Sequence, residues 1–137
     1  MTLLEPSSAR PRLGFVRLGA VIVLLGWSPL SLALTTASAW PRLVHYGWPA
    51  WSLFAARVAV VALGIAAARL LLDRAAGAAR LASLALGTNA LLVLATSATP
   101  YFPSNAVPST KWLTAWALVL AHLALAGLVR RSPDATA

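Results

Sequence analysis

Four long apolar runs divide this chain, at 18–36, 50–72, 81–98 and 112–129, and the charges and prolines gather in the segments between them. A bilayer core of about 30 Å needs roughly 20 helical residues at 1.5 Å each, so every run is long enough to cross one. The pattern predicts an all-α, polytopic integral membrane protein. Its membrane domain is a four-transmembrane-helix bundle over 18–131, between cytoplasmic tails at 1–17 and 132–137. Pro29, in the middle of the first run, removes a helix hydrogen bond and clashes with the preceding turn, so a kink is expected there.

The connections differ in kind. Segment 73–80 is short and makes the second and third helices an antiparallel hairpin. Segments 37–49 and 99–111 read as loops. The first holds Trp40-Pro41 and Trp48-Pro49, and the second holds Pro100, Pro103 and Pro108.

Composition agrees with lipid as the solvent. Only 10% of the 137 residues are charged, against about a quarter in a soluble domain. Such a chain cannot cover its surface in water. The net charge of +8 would suit nucleic acid, but the arginines sit at the ends of apolar runs, where membrane proteins collect them. Anionic lipid head groups at the cytoplasmic face are the expected counter-charge, and no nucleic acid is expected.

Orientation follows from counting cations by side. The tails and the 73–80 turn hold Arg10, Arg12, Arg17, Arg69, Arg74, Arg80, Arg130 and Arg131, while the other two connections hold Arg42 and Lys111. That asymmetry places both termini in the cytoplasm. Trp40, Trp48, Trp51, Trp112 and Trp116 then fall near the outer boundary as interfacial anchors. The Ala- and Arg-rich usage is associated with high-GC bacteria, which makes the bacterial cytoplasmic (inner) membrane the expected location. Ala37-Ser38-Ala39 looks like a signal-peptide cleavage site. The run before it is longer than the usual 7–15 residue apolar region and is broken by Pro29, so an uncleaved helix is favoured over a signal peptide ending at 39.

Polar side chains within a span are costly and are the first places to look for function. Arg57, Asn89 and His122 stand out as ligand or pathway candidates. Counting along the helices puts Asn89 and His122 near the midplane, level with Trp27, Ser28 and Pro29, with Arg57 closer to the outer face. Small residues line the same faces: Ala82, Ala85 and Thr96 beside Asn89, Ala115 and Ala126 beside His122, Gly64 and Ala68 beside Arg57. On the first run Gly19, Gly26 and Ala33 repeat every seven. Such stripes favour close helix contacts and are expected to point inward. For His122, a hydrogen bond across helices to Asn89 or Ser28 is favoured over proton relay or ligand binding. For Arg57, snorkelling to the head groups is favoured over holding an anion.

Several chemistries are argued against. There are no cysteines, so thiolate metal sites are excluded. The acids are Glu5, Asp73 and Asp134, none inside a span, which removes paired-carboxylate catalysis and carboxylate metal sites. A haem needs a second axial ligand, and only His45 and Met1 remain to supply one. No metal or other cofactor is expected. The expected function is a small non-enzymatic membrane protein acting through helix and loop contacts, as an accessory subunit of a membrane complex or a self-associating bundle. The alternative is an oligomeric small-solute transporter or channel using Arg57, Asn89 and His122. A lipid-modifying enzyme is the least supported class.

Overall fold

The structure is a computed structural model that describes residues 14–100 and 108–132. Regular structure among them is all helical: α1 (Phe15–Ile22), a π-helical turn (Val23–Trp27), α2 (Ser28–Tyr46), α3 (Trp48–Leu72), α4 (Ala78–Ala98) and α5 (Pro108–Arg131). The first three are continuous, so the described residues contain four helices long and apolar enough to cross a membrane. Residues 1–13, 101–107 and 133–137 lie outside the described residues, and with them Arg10, Arg12, Pro103 and most of both tails.

The kink expected at Pro29 takes the form of the π turn just before it. Proline has no N–H, and its ring crowds the carbonyl four residues back. The chain widens by one residue, and the Ser28 N–H reaches back five positions to the Val23 carbonyl.

Residues 37–46 are not the loop expected of them. The helix runs on to Tyr46, with Pro41 inside it. Hydroxyls keep their hydrogen bonds local here. Thr35 donates to the Ser31 carbonyl, Thr36 to Leu32, and Ser38 to Leu34 and Thr35. Ala39 and Leu43 are fully buried with Ala50, and Leu53 and Phe54 pack against them. Burial of that face, rather than propensity, keeps the segment helical. The expected thirteen-residue connection shrinks to Gly47, whose φ of 67° and ψ of −144° suit glycine alone.

The other hairpin turns at 73–77. The Ala75 N–H bonds the Leu70 carbonyl at 2.9 Å and the Arg74 N–H bonds the Leu71 carbonyl at 3.3 Å. These are the paired bonds of a Schellman end, with Arg74 (φ 55°) in the left-handed position that glycine usually takes. Residues 78–80, expected in the turn, already belong to α4.

The core follows small residues. α4 packs closely on α5 and on α3 through Ala78, Ala82 and Ala85. α1 touches both α3 and α5, whereas α2 packs on α3 and barely meets α5. Gly64 admits Leu24: a β-carbon on the glycine would lie 3.1 Å from Leu24 Cδ2.

Three of the four predicted stripes point inward. Ala82, Ala85, Ala115, Ala126, Gly64 and Ala68 are all buried. The fourth does not, since Gly26 and Ala33 are exposed. A seven-residue repeat assumes an unbroken α-helix, and the π turn lies between Gly19 and Ala33. The buried face of that helix is instead Arg17, Ala20, Val21, Leu24, Ser28, Ala39 and Leu43.

Candidate functional site

Asn89 lies about midway along α4 and His122 about midway along α5. The two helices are antiparallel neighbours, so the residues meet at one level. Asn89 Nδ2 is 2.9 Å from His122 Nε2. His122 Nδ1 is 2.7 Å from the carbonyl oxygen of Leu118, one turn earlier. A carbonyl only accepts, so Nδ1 carries the proton and donates it there. Nε2 then offers its lone pair to the Asn89 amide N–H. Both ring nitrogens are occupied, and the side chain is 5% exposed.

A cavity of about 290 Å³ reaches the ring of His122 from one side, lined also by Val23, Trp27, Leu118, Ala121 and Leu125. Trp27 therefore shares the level of His122, as the depth count expects. Ser28 is buried too, but its Oγ has no hydrogen-bond partner among the described residues, so it is not the partner of His122.

Arg57 stands apart from this pair. Its Nη2 donates to Ser31 Oγ on α2 at 3.1 Å. Leu24 and Gly64 touch where α3 meets the π turn. Ser31 lies seven residues after Leu24 and Arg57 seven before Gly64, so antiparallel helices bring the two level. Asn89 and His122 thus share an α4–α5 contact, and Arg57 makes an α2–α3 contact.

Five of the six tryptophans gather at the end of the bundle opposite Arg17 and Arg130. Trp40, Trp48, Trp51, Trp112 and Trp116 are all exposed. Trp40 stacks edge-on against Trp51 at 5.5 Å, and Trp51 against Phe54 at 6.0 Å. Arg42 Nη1 donates to the Pro100 carbonyl at 3.0 Å, which ties α2 to the residue just beyond α4. At the arginine end, Arg17 Nε donates to Ser132 Oγ at 3.4 Å, joining the two ends of the described chain.

Sequence reasoning does not point to Ser31 or Ser132 as partners. Both are ordinary serines, and only the pairing of helices reveals their roles. The arrangement is a small helical bundle with four helices long and apolar enough to cross a membrane, in which Asn89–His122 and Arg57–Ser31 bond helix to helix. No protein-family model, no curated protein and no solved structure matches the chain.

Proposed function

We infer that this chain is a non-enzymatic, four-span protein of the bacterial cytoplasmic membrane, with both termini in the cytoplasm. It works through helix and loop contacts, as an accessory subunit of a membrane complex or as a self-associating bundle. The observation that carries this reading is the saturation of His122, whose two nitrogens are engaged by Leu118 and Asn89. A relay or ligand-binding histidine needs a nitrogen open to its substrate. Interhelical hydrogen bonds of this kind are ordinary membrane glue.

Two further features support it. Arg57, the cation a transport pathway would use, is engaged by Ser31. α2 and α5 also leave each other's company beyond the π turn, so the bundle is open on that side, with Leu30 and Leu34 on α2 and Leu113 and Leu120 on α5 exposed.

Extraction of the tagged chain in a mild detergent, followed by mass measurement of the intact particle, tests the reading. The expected particle contains other polypeptides or several copies of this chain. Recovery as a lone monomer at every detergent concentration sinks it.

A further inference from the structure

A groove of about 540 Å³ runs along the seam of α4 and α5. On α4 it is lined by Arg80, Ser83, Leu84, Gly87, Thr88 and Leu91, which recur every three or four residues and so form one face of the helix. Leu123 and Arg130 of α5 form the opposite wall. The cations are at one end and the leucines at the other. Along α4 the distance from Arg80 to Leu91 is about 16 Å at 1.5 Å per residue. Half the apolar thickness of a bilayer is about 15 Å, the depth of one leaflet's acyl chains.

The charged end is unusual in two ways. Neither Arg80 nor Arg130 has a hydrogen-bond or ion-pair partner among the described residues. Arg80 also sits in the first turn of α4, where the helix dipole is positive and a cation is disfavoured. That turn has no acidic residue, and Gly77 before it supplies no capping side chain. Arg80 and Arg130 therefore both present their cations at one end of the groove. The apolar end is kept open by Gly87, where an added β-carbon would meet nothing within 4 Å. The Thr88 hydroxyl is already bonded to the Leu84 carbonyl, so the wall beyond Ser83 presents mainly carbon.

We propose that this groove is a binding site for one anionic phospholipid of the cytoplasmic leaflet. Its phosphate sits between Arg80 and Arg130, and one acyl chain lies along Leu84, Gly87, Leu91 and Leu123. The proposal deepens the reading above and rests on its membrane insertion and orientation.

The test uses the full chain in nanodiscs and in mild detergent, with native mass spectrometry reading bound phosphatidylglycerol against phosphatidylethanolamine. The intact protein retains phosphatidylglycerol at one per chain. The double variant Arg80→Gln with Arg130→Gln weakens retention about thirtyfold, the combined effect expected of two basic residues near an anionic surface. Gly87→Leu, whose β-carbon meets no neighbour, extends a side chain into the groove and lowers retention of both lipids severalfold. Arg69→Gln with Arg131→Gln removes equal charge from the same end, away from the groove, and leaves retention within about twofold. Equal loss in the two double variants would show diffuse surface charge and overturn the proposal. So would a Gly87→Leu chain that binds lipid normally, or one whose only change is dissociation of a dimer, which would make the occupant a second copy. Release of the chain from membranes by alkaline carbonate would refute the membrane reading itself, an outcome separate from all of these.

Discussion

The α4–α5 hairpin and the long N-terminal helix both carry polar groups through an apolar span, and they hold them differently. In the hairpin the backbone is regular, and Asn89 and His122 answer each other across the interface, while Thr88 and Thr96 bond back to α4. Alanines at 82, 85, 115 and 126 let the helices close on that bond. In the N-terminal helix the backbone itself is irregular. Pro29 leaves a carbonyl without its donor and the π turn absorbs the disturbance, while threonines and serines bond back to their own helix. The hairpin spends polarity on joining two helices, whereas the N-terminal helix spends most of it on repairing one. In keeping with that difference, α5 packs most extensively on α4, while α2 leans mainly on α3.

The comparison can be broken at graded cost. Leu24 is the large side chain that fixes the irregular helix to Gly64, and it is fully buried. Leu24→Ala is expected to destabilise the protein by about 2–4 kcal/mol, read by reversible unfolding in mixed micelles. A cost near zero would mean that the N-terminal helix is not packed as described. Next comes the hairpin's own bond. His122→Ala and Asn89→Ala should each cost about 1–2 kcal/mol, because each leaves a buried partner unsatisfied. The double variant should cost less than their sum, and full additivity would show that the two side chains do not interact. The smallest effect on stability belongs to Pro29→Ala, expected within about 1 kcal/mol, since a regular helix would regain the lost bond. Its signature is geometric. A short bifunctional thiol cross-linker should join cysteines placed at 17 and 132 with Pro29 present and fail to do so once the helix regularises and turns position 17 away from 132.

Much of the architecture was legible in the sequence because hydrophobic run length is a direct consequence of bilayer thickness. All four helices and the tight turn near 73–77 follow from it. The level of Asn89 with His122 also follows, since depth is only a count along antiparallel helices. The helical course of 37–46 was not legible. Trp40-Pro41 and the cluster of polar residues read as a loop, and only the burial of Ala39 and Leu43 against Ala50 overrides that local signal. The partner of Arg57 was equally hidden, because Ser31 is marked by nothing except its distance from Leu24. The groove at Arg80 and Arg130 needed both helices in place before two arginines, fifty positions apart in the chain, could be seen on one seam.

The π turn has one more effect, on angular phase. An α-helix advances about 100° per residue, so between positions 17 and 43 an unbroken one would drift roughly 80° away from a whole number of turns. The surplus residue of the π turn takes back about as much. Arg17, near one end, and Leu43, near the other, therefore look toward the same side of the bundle, and a helix far longer than one bilayer crossing keeps a single straight seam.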